Sequence, residues 1–263
     1  MQASWRDRLL RPVRVRLMNM VADAVAPLLS QQEQQLAELR AETRRVYDRL
    51  IEFEIRTRRD IVYAADRQAA LESADFVRAH MPTAPRFDDP HRTLEHALSL
   101  APAGGMALEF GVYTGSTLKI IAAARTSGGV YGFDSFQGLP EDWRIDFPAG
   151  AFSVDGRPDV AGAELVVGWF ADTLPEFLAR HPGPVDFVHV DADLYSSAKT
   201  VLDLVGPRLR PGSVVVFDEF FNFPGWQEHE CQALREYVEH TGVSVSYEGY
   251  CYANEQVIVR ITR

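Results

Sequence analysis

Two apolar runs end in paired acids: Asp191 and Asp193 in VHVDADLY (188–195), and Asp218 and Glu219 in VVVFDEFF (214–221). A buried carboxylate is costly unless it is paired or meets a cation. Two readings follow. In one, each acid caps the helix after its strand, which suits Asp193 best. In the other, the four carboxylates share a crevice where their repulsion calls for a cation. Hard oxygen ligands then select Mg²⁺ or a similar divalent ion. The number of converging acids favours the second reading.

A second constellation is ALEFGVYTGST (107–117). An apolar run reaches Glu109, then Gly111 and Gly115 bracket a turn into a helix, with Tyr113 inside the turn and Ser116 just beyond it. Glycines there let a ligand approach the backbone beside a positive helix N-terminus. The spacing Gly-x-x-x-Gly is not the Gly-x-Gly-x-x-Gly of dinucleotide-binding turns, and by itself it fits a tight strand–helix turn equally well. The next apolar run ends in Asp134, 23 residues beyond Gly111. An acid at that point can accept hydrogen bonds from ribose hydroxyls. Turn and acid together point to a nucleoside-containing cofactor.

The elements that must position these residues begin near residue 90. Apolar β runs at 106–110, 130–133, 164–169, 185–190 and 213–217 alternate with helical stretches at 117–125, 174–180 and 198–205. Continuous apolar strands separated by helices imply an α/β fold with a parallel sheet covered on both faces. The ends of successive parallel strands then share one edge, which brings the Gly-rich turn and the acids together. Residues 135–163 form a long connection rich in Gly, Pro and aromatics, a candidate binding loop. Two β runs at 243–249 and 256–261 with a short polar link read as a hairpin, so the sheet finishes with an antiparallel strand. That ending selects S-adenosylmethionine over NAD.

Residues 30–80 contain no Gly or Pro and read as helix; Leu36, Leu39, Thr43, Val46, Leu50 and Phe53 alternate in steps of three and four. So narrow a seam suits a partner helix, and the expectation is a homodimer. Met81-Pro82-Thr83-Ala84-Pro85 marks the boundary, giving a helical extension over 1–80 and a catalytic domain over 81–263. The 263 residues are 46% apolar and 24% charged, enough for a sizeable core. Residues 1–80 carry 14 Arg against 12 acids, so +2 of the net −10 lies there and −12 in the remainder. An acidic body argues against nucleic acid as substrate. The Arg-rich start (Arg6, Arg8, Arg11, Arg14, Arg16) suits an anionic membrane surface or, more simply, a helix packed on a partner. No run of about 18 apolar residues reads as a membrane span, and no cleavage site reads as that of a signal peptide. With only Cys231 and Cys251, a reduced, cytoplasmic setting is expected.

The motifs LEFGVYTGST, GFDSFQGLP, VGWFADTLP, VHVDADLYSS and VVVFDEFFNFPGW, in this order, resemble the macrocin O-methyltransferase family over roughly residues 90–263. The resemblance implies a class I methyltransferase fold with a seven-stranded sheet, S-adenosylmethionine as methyl donor, and a sugar hydroxyl of a secondary metabolite or glycolipid as acceptor. It implies a Mg²⁺ ion held by Asp191, Asp218 and Glu219. It also sets Glu109, Gly111, Asp134, Ser135 and Phe136 around the cofactor; Tyr113, Gly115, Ser116 and Asp172 complete the candidate cofactor set. A metal beside the hydroxyl favours the alkoxide, and Asp191 is the expected proton acceptor, with His229 and His189 as alternatives. A histidine inside an apolar strand, as His189 is, is more often a satisfied core residue. Phe220, Phe221, Phe223, Trp226 and Trp143 are candidates for stacking on a sugar ring. Two other readings stand beside this one: a non-catalytic S-adenosylmethionine-binding scaffold, and an NAD-dependent oxidoreductase. No glycine or acid of the motifs is missing, which disfavours the first, and the absent third glycine disfavours the second.

Overall fold

The structure, a computed structural model, describes residues 5–263, with side chains described from residue 10 onward. The side chains of Arg6 and Arg8, part of the basic run, therefore lie outside the described residues. The chain divides into two compact units between Ala64 and Ala65.

The first unit is dominated by α1 (Trp5–Arg59), whose side chains from Leu10 to Arg59 are all exposed. The helix stops at Asp60, whose carboxylate accepts from the amides of Val62 (3.0 Å) and Tyr63 (3.1 Å) and so opens α2 (Ile61–His80). Among the described residues, no helix is long and apolar enough to cross a membrane.

The second unit begins inside α2. Residues 65–80 bury Ala69 and Ser73, and the Ser73 hydroxyl accepts from the Asn222 amide at 2.8 Å. Phe76 packs edge-on against Trp226 and Tyr247. The division thus falls 16 residues before the expected boundary at 80 (80 − 64), because the second half of α2 has a buried face.

The elements that follow are β1 (Arg86–Phe87), α3 (Pro90–Leu100), β2 (Met106–Phe110), α4 (Ser116–Ala124), β3 (Val130–Asp134) and β4 (Glu164–Val167). Then come α5 (Phe170–Arg180), β5 (Val185–Val190), α6 (Tyr195–Val205), β6 (Leu209–Phe217), α7 (Glu230–Thr241), β7 (Val245–Cys251) and β8 (Val257–Ile261). They build one sheet in the order β1-β7-β8-β6-β5-β2-β3-β4. Every pairing is parallel except those of β8, the last strand, which inserts antiparallel between β6 and β7. Seven strands match the expected α/β class I sheet with its terminal antiparallel strand. The eighth, β1, is two residues pairing with Tyr250 and Cys251 of β7, too short to carry any periodicity.

The β2 and β5 strands are buried along their whole length, which is why they read as continuous Val-, Leu- and Phe-rich runs. On one face, Phe177 of α5, Val201 of α6 and Leu234 of α7 close the core. On the other, Leu94 and Ala97 of α3 meet Leu118 and Ile121 of α4. The α3 helix starts where Asp89 accepts from the Arg92 amide and Pro90 takes the first turn.

Candidate active site

The parallel strands β2, β3, β5 and β6 all deliver the chain to the same sheet edge. A cavity of about 570 Å³ opens there. The turn after β2 contributes Gly111 and Tyr113, and the end of β3 contributes Asp134 and Ser135. Asp191 and Asp193 enter from the loop after β5, and Glu219 from that after β6. The long loop 135–163 closes a third side with Trp143, Arg144, Phe147 and Phe152.

Gly111 has φ +94°, and a Cβ there would overlap the main-chain oxygen of Asp191. The turn after β2 therefore touches the end of β5 at a point where only glycine fits. The Asp134 carboxylate fixes this turn: one oxygen accepts from Val112 (2.9 Å) and Tyr113 (2.8 Å), the other from Phe136 (2.7 Å). Its backbone partners, which the strand-end reading did not anticipate, make it a clamp on two loops as well as a cavity-lining acid.

The acids form a graded cluster. Ligand atoms of His189, Asp191 and Asp218 lie within 4.8 Å of one another. His189 is buried, with Nδ1 3.0 Å from Glu109 Oε1 and Nε2 3.3 Å from Asp218 Oδ1. Burial works against its proton, but the hydrogen bonds to Asp218 and Glu109 win and raise its pKa well above that of a free imidazole. Burial likewise works to raise Asp218, yet the hydrogen bond and charge of His189, with hydrogen bonds from Gln256 and Glu219, together hold this acid below the ordinary range. Glu109 is fully buried, and desolvation, larger than the His189 contribution, raises its pKa. Asp191 and Glu219 are pushed well up, by burial first and then by the charge of Asp218. Asp193 rises to about 7 by burial, with Arg144 pulling the other way.

Sequence reasoning missed three participants. Glu230, at the start of α7, is fully buried, accepts from the Glu219 amide at 3.0 Å, and is raised by burial and Asp218. Arg144 lies 3.9 Å from the centre of the Trp143 ring and pairs with Glu255 at 3.2 Å. No local pattern marks Glu230 or Glu255; Arg144 at least falls in the loop read as binding. Glu219 Oε2 and Glu230 Oε1 are buried with no hydrogen-bond partner. Orphaned carboxylate oxygens beside Asp191 and Asp218 are a donor set that fits a hard divalent cation. His189 fits that role poorly, since both its nitrogens are engaged.

The expected site residues divide in two. Gly111, Tyr113, Asp134, Ser135, Asp191 and Glu219 line the cavity, and Asp218 joins through its cluster with Asp191. Glu109 sits behind the wall on His189; Phe136 is buried under the turn, and Gly115 starts α4 behind it. Ser116 and Asp172 are exposed and outside the lining, Asp172 in the first turn of α5, where Trp169, Phe170 and Ala171 line the cavity instead. His229 is also outside it, against Phe223, with burial lowering its pKa and Nδ1 unpartnered. Of the expected stacking aromatics only Trp143 lines the cavity. Phe220, Phe221, Phe223 and Trp226 are buried in the core, and Tyr113, Phe147, Phe152 and Trp169 take their place.

Comparison with known proteins agrees with this geometry. The family described as "Methyltransferase domain" matches residues 108–220. Over 160 residues the chain is 29% identical to 8-demethyl-8-(2,3-dimethoxy-alpha-L-rhamnosyl)-tetracenomycin-C 4'-O-methyltransferase of Streptomyces olivaceus, covering 51% of this chain and 60% of that protein. The chain thus spans less than two thirds of that relative's length. Among solved structures, the O-methyltransferase NovP aligns with a TM-score of 0.50 at 21% identity, over 66% of this chain and 79% of its own. The calicheamicin methyltransferase CalS11 aligns at 0.49 and 26%, over 65% and 76%. Sheet order and the NovP likeness meet in one statement: residues 65–263 adopt the class I methyltransferase fold, and residues 108–220 within them match the methyltransferase-domain family.

Proposed function

We propose that the protein transfers a methyl group from S-adenosylmethionine to a hydroxyl of a sugar-bearing small molecule, with a divalent cation at the acids. The observation that carries this reading is the single cavity joining the Gly-rich turn and Asp134 to Asp191, Asp193 and Glu219 under an aromatic loop. The sequence relative's name, a methyltransferase acting at a rhamnosyl-tetracenomycin, supports the acceptor class.

When bound, S-adenosylmethionine supplies a methyl group on a positive sulfur. The Gly111 turn would let it approach the main chain, and Asp134, which lines the cavity, would accept from its ribose hydroxyls. Tyr113 and Trp169 offer rings to its base or to the acceptor. A divalent cation held by Asp191, Asp218 and Glu219 would supply positive charge that acidifies the acceptor hydroxyl. Glu109 and His189 keep the Asp218 carboxylate ionised and aimed, as partners behind a metal ligand do. Asp191 faces the cavity, where a proton acceptor would have to stand, with its pKa pushed well above the ordinary carboxylate range by burial and then by the charge of Asp218. In the transfer that S-adenosylmethionine would support, Asp191 would take up the proton of the acceptor hydroxyl. Positioning of the two reactants in line is the rest of the work.

Calorimetry with S-adenosylmethionine and with NAD, followed by mass spectrometry of a glycoside library incubated with S-adenosylmethionine and Mg²⁺, tests the reading. Binding of the sulfonium cofactor alone and a mass gain of one methylene on a glycoside are expected. NAD binding, or methylation confined to acceptors without a sugar, would overturn it.

A further inference from the structure

The exposed side of α1 carries a feature that the catalytic reading leaves unused. Between Val25 and Phe53 a three-four spacing, interrupted by the polar Gln32 and Thr43, holds the apolar Val25, Leu29, Leu36, Leu39, Val46, Leu50 and Phe53. These residues are 39% (Val25) to 60% (Leu39, Leu50) exposed. Four heptads of α-helix span roughly 42 Å, and a stripe of that length stays dry only against another surface. Taking Leu36 as heptad position a, Pro27 falls at f, on the side opposite the seam, where it does not obstruct a partner helix.

We propose that this seam is filled by the same helix of a second copy, parallel and in register, as a two-stranded coiled coil. The flanking charges select this occupant. In a parallel in-register pair each g position faces the e position five residues later in the partner. Arg49 then meets the partner's Glu54, and Glu42 meets the partner's Tyr47. Gln35 meets the partner's Arg40, so no like charges face each other, and the attractive pair occurs twice by symmetry. The two polar seam positions fit as well. Thr43 donates its hydroxyl to the Leu39 carbonyl of its own helix at 2.8 Å, so it enters the seam without an unmade hydrogen bond. Gln32 meets its own copy only when the two chains are aligned without offset, and a polar residue at one seam position is a known determinant of register. An antiparallel pairing that brings Arg40 against the partner's Tyr47 also sets Glu42 against the partner's Arg49, but it places Glu33 against the partner's Glu54, a repulsion the parallel arrangement avoids. Toward the N-terminus Val15, Met18 and Ala22 keep the a and d positions, but Leu17, Met20 and Val21 lie exposed beside them and the narrow stripe broadens, so the coil is assigned from Val25 onward.

The consequence is that both chains leave α1 at the same end of the coil. This does not depend on what the domains catalyse, and the two readings fail separately, since cofactor binding is measured in the same samples.

The test uses the full chain in a Cys231→Ser background. Sedimentation is expected to give twice the chain mass. Val25→Cys and Val46→Cys, made separately, should each form a disulfide-linked dimer on mild oxidation, because seam residues meet themselves at both ends only in a parallel, unshifted pair. Arg49→Glu should weaken the dimer about tenfold, with Arg49→Glu plus Glu54→Arg restoring it. A monomer, including one that instead binds vesicles of anionic lipid, would overturn the assignment, as would a trimer. So would linkage at one of the two cysteine positions but not the other, or a charge swap that fails to restore the pair.

Discussion

Asp186 and Asp191 stand at opposite ends of β5, and both carboxylates are buried by the protein. At the first, Arg210 Nε and a guanidinium nitrogen reach Asp186 at 2.8 and 2.9 Å, and the Gly105 amide donates at 2.6 Å. Arg125, itself buried, lies 3.8 Å away. At the second, Asp191 has for neighbours Asp218, Asp193 and the carboxylates of Glu219 and Glu230, with His189 as the nearest positive group. The same strand therefore shows that this fold can neutralise a buried acid with its own cations. Where it does not, at Asp191, the uncompensated acids are what the proposed cation would answer. One end of β5 is structural and the other is chemical.

The largest effect expected from this contrast is on stability. Asp186→Ala should cost roughly 3–5 kcal/mol in urea unfolding, because it strands Arg125 and Arg210 without their anion. A loss under about 1 kcal/mol would show that the pairing is incidental. Asp191→Asn should do the opposite: melting temperature unchanged or higher, and methyl transfer reduced by about a hundredfold or more. If Asp191→Asn unfolds the protein instead, the two ends are not different in kind.

The third effect is a slope with pH. Asp193 has a folded value of about 7 against an ordinary 3.8, so the native state holds its proton more tightly than the unfolded chain. Stability from that difference is full below about 4 and is lost as pH rises through 7. Asp191, Glu219 and Glu230, all raised, act in the same direction. His189, raised above 6.5, adds stability that is complete below 6.5 and fades at higher pH still. Asp218, held below 3.8, has already given its contribution before this window opens. The melting temperature in chelator should therefore fall from pH 5 to 8, and Mg²⁺ should flatten the fall. Identical slopes with and without the ion would remove the cation from the acidic end. The smallest effect is that of Glu219→Gln, which removes one carboxyl that would otherwise have to ionise in the crowd and should stabilise the metal-free protein at high pH by up to about 1 kcal/mol. Destabilisation there would mean that Glu219 is satisfied in a way its orphaned oxygen does not show.

Most of this fold is legible in the sequence because the parallel strands are buried on both faces and so appear as unbroken apolar runs. The runs at 106–110, 185–190 and 130–133 match β2, β5 and β3 to within a residue. The acids at strand ends are legible for the same reason, since a parallel sheet sends all its exits to one edge. What hides is anything decided by register or by distance along the chain. His189 looks like a core histidine until β2 and β5 pair it with Glu109, 80 residues away. Glu230 carries no mark of its own and acquires meaning only because the start of α7 lies under the Glu219 amide. The aromatic run after β6 misleads for the converse reason. Phe220 and Trp226 sit near the acids in sequence, yet the packing of α2 draws them into the core.

The direction of β8 has a further consequence. Because it runs against its neighbours, it enters the sheet at the edge where they leave, and the residues just before it arrive among their outgoing loops. Glu255 thereby pairs with Arg144, its carbonyl accepts from the Phe220 amide at 3.1 Å, and the Asn254 carbonyl accepts from Asn222 at 3.2 Å. The tip at 252–256 is thus a detachable tool holder. Its two strands are anchored deep in the sheet, so its own sequence can be rewritten in evolution or in the laboratory. A change at Glu255 would reach the cavity through Arg144, which lines it, and Gln256 ties the same tip to Asp218.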